Sequence, residues 1–431
     1  MVGTLQAHGF EANDARSGAH PGLAREAILR RTIEQLEQLA LGIAWRLEQL
    51  RAFEHLHLAG GAARGATGER DRREHFVGGV HQIPSVRQVH LLLTTQRVGD
   101  EYDDGHFSAG MIPCRAMLAL SNDGGPHLTR DQPRPERPPG EVRLRLRLAG
   151  VCDTDLQLAR GYMGFSGVLG HELVGSVVEA DDPALLGRRM VTDINAACGE
   201  CDDCRERDGH HCERRTVLGI LGRDGAFAEE LVMPSRCLVP VPDSVPDDHA
   251  VFAEPLAAAL HVLDEVEGGT PVTVLGDGKL GLLIALALAG AGVATTIVGH
   301  HRDKLAIAAR AGVTTLLEAE LGARRAQVVV EATGSPGGLS LATRMLVPRG
   351  TLILKTTVAD AVPFDAAPIV VNELRVVGSR CGDLRRAIAA LAEGRIDPTP
   401  LIVARYPLSR ADEALAHAGR RGTLKVLVEG V

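Results

Sequence analysis

The stretch VTVLGDGKLGLLIALAL, residues 272–288, joins an apolar strand to an apolar helix through three spaced glycines. In such a G-x-G-x-x-G loop the first glycine, Gly276, permits the turn, and the second, Gly278, lets backbone approach a pyrophosphate. The third, Gly281, lets helix and strand pack closely, while the N–H groups at the helix start face the phosphates. Lys279 and Leu280 complete the loop. Beyond it, the apolar runs ATTIVG, AQVVVEA and GTLILK alternate with the helical stretches DKLAIAARA and GGLSLATRML. Strands alternating with helices in this way call for a parallel, doubly wound sheet.

The other 270 or so residues (431 in all) leave room for one or two further domains. A net charge of −8 with only 3% aromatic residues offers neither a basic surface for nucleic acid or acidic membrane nor stacking platforms for bases. The longest uncharged run, residues 280–298, is long enough to span a bilayer, but Gly290 and Gly292 break it behind the nucleotide loop. It therefore reads as a buried helix and strand. With no secretory signal at the N-terminus, the cytoplasm is the expected compartment. Residues 1–115 differ in texture from the rest. Their periodic stretch around Ile28, Ile33, Leu36, Ile43 and Leu47 fits either a long amphipathic helix or an extension with little fixed structure.

Cysteine usage is sparse except in CGECDDCRERDGHHC, which sets Cys198, Cys201, Cys204 and Cys212 on one short loop. Such spacing lets a loop wrap a single tetrahedral ion, and an all-sulfur shell selects zinc or iron–sulfur chemistry. Four protein ligands leave no place for substrate, so this centre is structural. Upstream, AGVCDTDL brings Cys152, Thr154 and Asp155, and VLGHELVG brings His171 and Glu172. Each alone would read as core packing. Together, thiolate, imidazole and carboxylate make an incomplete zinc shell that is open to a substrate oxygen.

The motifs CDTDL, GHELVGSVV, CGECDDC, AEPLAAALH and VLGDGKLG occur in this order over residues 116–431. In this the chain resembles the zinc-dependent alcohol dehydrogenases of the medium-chain dehydrogenase/reductase superfamily, on the polyol and threonine dehydrogenase side. The resemblance implies a GroES-like β-rich catalytic domain over 116–265, a Rossmann domain over 266–380, and a return to the catalytic domain over 381–431. It implies two zinc ions per chain. Cys152, His171 and Glu254 match the catalytic ligands, Glu254 standing where many members carry a third cysteine, and Glu172 is an additional or exchanging ligand. Thr154 matches the hydroxyl that relays the substrate's proton, Asp155 the partner of the histidine, and Thr333 a contact to the nicotinamide nucleotide. The expected reaction is hydride transfer between a small alcohol or polyol and NAD(P), in a homodimer or homotetramer. A nucleotide-binding scaffold that has lost catalysis is the alternative.

Cofactor choice turns on the end of the second Rossmann strand, where an acid would bind the ribose hydroxyls of NAD. The sequence has Gly299 there, then His300, His301 and Arg302. With no carboxylate at that place, and with Arg302 able to reach a phosphate, NADP is expected over NAD.

Overall fold

The computed structural model describes residues 116–357 and 364–431; the helix or extension expected within 1–115 lies outside them. Six strands form one parallel sheet: Val272–Leu275, Thr295–Gly299, Thr314–Leu317, Ala326–Glu331, Leu346–Leu354 and Arg375–Gly378. Numbered along the chain, they lie in the order 3-2-1-4-5-6 across the sheet, the doubly wound arrangement of a Rossmann domain. Strand order reverses between the first and fourth strands, the point at which doubly wound sheets open a ligand crevice at the strands' C-terminal ends.

The helix Lys279–Gly290 follows the first strand. Leu282, Leu283, Ile284, Ala285, Ala287 and Leu288 are all almost fully buried, so the helix is covered on every side. Helix Ala253–Leu260 packs against it and against helix Leu384–Ala392. A helix apolar all round belongs in such a core, and each buried leucine contributes about 1.5–3 kcal/mol. Among the described residues no helix is long and apolar enough to cross a membrane. The run 280–298 is thus a core helix followed by the strand Thr295–Gly299, as its glycines implied.

The GroES-like part is built on the strand Glu141–Gly150. It pairs antiparallel with Glu172–Glu179 along one edge. Along the other, its first half meets Glu230–Pro234 and its second half meets Lys425–Glu429. Its sequence, EVRLRLRLAG, alternates as a half-exposed strand should: Leu144, Leu146 and Leu148 are buried, while Arg145 and Arg147 are exposed. Arg143 departs from the pattern. It is buried because Glu179 accepts from its Nε at 2.9 Å and Glu230 lies 3.9 Å away, so the charge enters the fold paired. A small sheet of Asn195–Ala196, Thr216–Leu218 and Gly222–Arg223 flanks the cysteine loop.

Candidate active site

The cysteine loop forms a compact sulfur cluster. Cys201 caps the short helix Asp202–Glu206, which turns Cys204 back towards it at a sulfur–sulfur distance of 3.4 Å. Cys198 and Cys204 are 3.8 Å apart, and the Cys198 N–H donates to the Cys212 sulfur at 3.5 Å. All four ligand atoms lie within 4.8 Å of one another, well beyond disulfide length. The N–H groups of Glu200 and Cys201 bring the Cys198 thiol down to about 6. At Cys201 the Cys204 N–H pulls the same way, but the Cys204 sulfur, burial and the Cys212 and Cys198 sulfurs outweigh it and push the thiol up to about 12. Four sulfurs this close cannot all ionise without a cation among them, and a tetrahedral thiolate-binding dication fits. His210 and His211 take no part: the His210 ring sits between Asp193 (2.9 Å) and Asp208 (3.1 Å), and His211 is exposed.

Cys152 lies where strand Glu141–Gly150 gives way to helix Asp153–Leu158, as the helix cap. Asp155, fully buried, organises the surroundings. It accepts from the Cys152 N–H at 2.8 Å, the Gly170 N–H at 3.2 Å and His171 Nδ1 at 3.0 Å. With Nδ1–H donating to this carboxylate, Nε2 of His171 keeps the lone pair a metal requires. Burial opposes a charge on His171, yet Asp155 and the Cys152 sulfur together favour a positive charge there and hold its pKa well above the ordinary histidine value, so a metal cation at Nε2 would take the place of a proton. Thr154 Oγ1 lies 3.8 Å from the Cys152 sulfur.

Glu254 is the second residue of helix Ala253–Leu260 and takes no hydrogen bond from the described residues. Burial, opposed by His171, reinforced by Glu172 and opposed again by Lys425, raises its pKa to about 7. A carboxyl free of protein hydrogen bonds and near the His171 imidazole suits a metal ligand. Cys152, His171 and Glu254 are less tightly gathered than the cysteines. Among the described residues only the four-cysteine set has every ligand atom within 4.8 Å. Glu172 is engaged elsewhere: its carboxylate is ion-paired with Lys425, and both side chains are buried. The Lys425 ammonium also lies 5.7 Å from the centre of the Phe252 ring.

At the crevice of the parallel sheet, Gly276 has φ 112°, and a Cβ there would stand 2.5 Å from the Ala332 carbonyl oxygen. A Cβ on Gly281 would strike the Gly276 carbonyl, whereas Gly278 faces open space. Two glycines are thus required by packing and the third leaves room for a phosphate, so a dinucleotide fits. Leu280 packs on the core below, and Lys279 Nζ reaches Asp153 Oδ1 at 2.9 Å, across to the residue after Cys152. Thr333 borders the loop. Its N–H and hydroxyl both donate to Glu331, at 2.8 and 2.5 Å.

The end of the second strand corrects one sequence expectation. Gly299 carries no acid, but Asp277 reaches into the space its side chain would fill, so a carboxylate is present there after all. The basic groups are also taken: His300 lies 3.2 Å from Glu318, His301 3.0 Å from Asp277, and Arg302 2.8 Å from Glu320. The lack of a carboxylate at the strand end therefore no longer argues for NADP.

Residues 138–243 match the family described as "Alcohol dehydrogenase GroES-like domain", and residues 280–393 match "Zinc-binding dehydrogenase". A sorbitol dehydrogenase from Halalkalibacterium halodurans is 26% identical over 340 residues, 73% of this chain and 98% of the relative. An alcohol dehydrogenase of Escherichia coli CFT073, solved with NADH, superposes with a TM-score of 0.67 at 25% identity, covering 73% of this chain and 99% of its own. A zinc-binding dehydrogenase from Sinorhizobium meliloti bound to NADP gives 0.66 at 28% identity, over the same 73% and 99%. The chain belongs to the zinc-dependent alcohol dehydrogenase family of the medium-chain superfamily.

Three residues of this zinc-dependent dehydrogenase escaped the sequence reading. Lys425 gave no signal, being 253 positions from its partner Glu172. Asp277 stood in plain view inside the glycine motif, at a position the motif leaves free. Lys355 directly follows the fifth strand of the nucleotide domain and is buried, donating to the carbonyls of Ala258 (2.8 Å) and Arg380 (2.9 Å) and to the Ser379 hydroxyl (3.2 Å). It therefore ties the nucleotide sheet to the helix that carries Glu254.

Proposed function

We propose that this dehydrogenase interconverts an alcohol or polyol and its carbonyl product with NAD(P), around a zinc ion held by Cys152, His171 and Glu254. A second, structural zinc sits in the four-cysteine lobe. The observation that carries this reading is the Asp155 clamp, which fixes the Cys152 backbone and the His171 tautomer at once. When bound, the metal acidifies a substrate hydroxyl and the nicotinamide ring exchanges hydride with the adjacent carbon.

The chain's own groups do the positioning. Asp155 holds Nε2 of His171 as an acceptor towards the metal position, and Glu254 supplies a carboxyl whose proton is weakly held near neutrality. Thr154 stands beside Cys152, placed to carry the substrate's proton away. The N–H groups at the start of helix Lys279–Gly290 bind the pyrophosphate, and Gly278 admits it. Glu172 stays paired with Lys425 and acts as a fixed carboxylate behind the ligands. A polyol is the preferred substrate class. A carboxylate in place of a third thiolate is the departure that set the sequence on the polyol side, and the sorbitol dehydrogenase relative supports it.

The test is metal analysis coupled to turnover on a panel of polyols and simple alcohols with NAD and with NADP. The expected result is two zinc ions per chain and polyol-dependent formation of reduced nucleotide. Cys152→Ser should keep one zinc and lose about 1,000-fold in turnover, the scale of the several kcal/mol a metal supplies. One zinc in the unaltered protein with no turnover on any alcohol would replace this reading with the scaffold.

A further inference from the structure

In a doubly wound nucleotide domain, the acid that recognises the adenosine ribose stands at the end of the second strand. This chain has Gly299 at that point, and the space is filled from elsewhere. A Cβ on Gly299 would lie 2.5 Å from Asp277 Cβ and 2.6 Å from Asp277 Cγ and Oδ2. The glycine and the aspartate are thus two halves of one arrangement: the acid has moved from the strand end to the middle of the glycine loop, and the strand end has lost its side chain to admit it.

The carboxylate is held firmly. Asp277 Oδ2 accepts from the His300 N–H at 2.7 Å, the His301 N–H at 2.6 Å and His301 Nδ1 at 3.0 Å. Its other oxygen, Oδ1, takes no hydrogen bond from the described residues and is free to accept from a ligand. Burial works against the charge, but the His301 and His300 donors prevail and keep the carboxyl below the usual aspartate range. It is ionised at neutral pH. Around it, His300 is paired with Glu318 and Arg302 with Glu320, so no uncommitted cation offsets it at the strand end.

We infer that Asp277 is the ribose-recognising acid of this dehydrogenase, with Oδ1 accepting from the adenosine ribose hydroxyls, and that it selects NAD over NADP. A 2′-phosphate would meet a buried negative charge at the place where a hydroxyl finds an acceptor. This inference rests on the nucleotide-dependent reading above.

The experiment is titration of the zinc-loaded full chain with NADH and with NADPH, followed by nicotinamide fluorescence and repeated with Asp277→Asn. The unaltered protein should bind NADH at least tenfold more tightly than NADPH. Asp277→Asn keeps the shape and one acceptor for the His300 and His301 N–H groups. It should weaken NADH binding about tenfold and leave NADPH binding unchanged or improved, so that the preference collapses. Equal or tighter NADPH binding by the unaltered protein overturns the inference without need of the variant. A variant that loses both nucleotides in proportion overturns it too. If neither nucleotide binds the unaltered protein, the dehydrogenase reading falls first and this inference with it.

Discussion

The four-cysteine cluster and the proposed catalytic ligand set of this molecule are built in opposite ways. The four cysteines come from one loop of fifteen residues, and their sulfurs converge within 4.8 Å. Cys152, His171 and Glu254 come from a helix cap, the residue before a strand and a helix a hundred positions along, and converge less closely. The first set needs little beyond local chain closure and an ion. The second needs the antiparallel sheet, the buried Asp155 and the packing of helix Ala253–Leu260 to exist already. A centre encoded locally can be autonomous, whereas one encoded at long range inherits the stability of the whole domain.

The largest effect expected from this contrast is at the loop. Structural zinc is worth about 10–16 kcal/mol in isolated finger peptides. Cys212→Ser should take the zinc content from two to one, lower the melting temperature by about 10 °C or more and open residues 198–212 to proteolysis. The remaining zinc should still support turnover. Loss of both ions from this one substitution would end the idea of an autonomous loop.

Next in size is the long-range pair beneath the other centre. Lys425→Met leaves Glu172 charged and buried without its partner, which costs about 3–5 kcal/mol. Combining it with Glu172→Gln should restore most of that stability in denaturant unfolding. Zinc in the cysteine loop should be retained throughout. If the double variant is no more stable than Lys425→Met, the ammonium serves something other than Glu172.

The smallest effect concerns the tie between domains. Burial, against the pull of Cys381 and Glu254, lowers the Lys355 pKa from 10.5 to about 8. The unfolded chain therefore binds the extra proton between about pH 8 and 10.5, and the folded state does not. Stability must rise with pH through that window on this account. The unaltered protein should gain about 1–3 kcal/mol over Lys355→Met between those limits. A pH-independent difference would mean that Lys355 stays charged in the fold.

The doubly wound sheet and the cysteine centre were legible in the sequence because both are written in neighbouring residues: apolar periodicity and glycine spacing in one, thiol spacing in the other. The strands of the GroES-like part are legible in alternating runs such as EVRLRLRLAG, but their arrangement into a sheet only through resemblance. Its central strand pairs with segments from residues 172, 230 and 425, and no local pattern states that. The sequence offers Glu172 to a metal, whereas its ion pair with Lys425 becomes visible only after folding. Arg143 is hidden from the sequence in the same way, since alternation says "outside" and only Glu179 and Glu230 explain why it lies inside. At Gly299 the missing side chain is plain in the sequence, but the side chain replacing it comes from 22 residues earlier.

The strand Lys425–Glu429 has a consequence for biosynthesis. It completes the sheet beside Glu141–Gly150 and delivers the ammonium that neutralises Glu172. During translation the cysteine loop can close as soon as residue 212 leaves the ribosome, and the nucleotide domain once its six strands are out. The pocket around Cys152 must wait, with a buried acid uncompensated, until residue 425 emerges. Released early, the chain would carry one finished zinc centre, a finished nucleotide fold and an unsealed catalytic sheet edge. Chaperones and proteases act on such exposed edges, so a chain ending near residue 420 would offer them one despite its finished nucleotide fold.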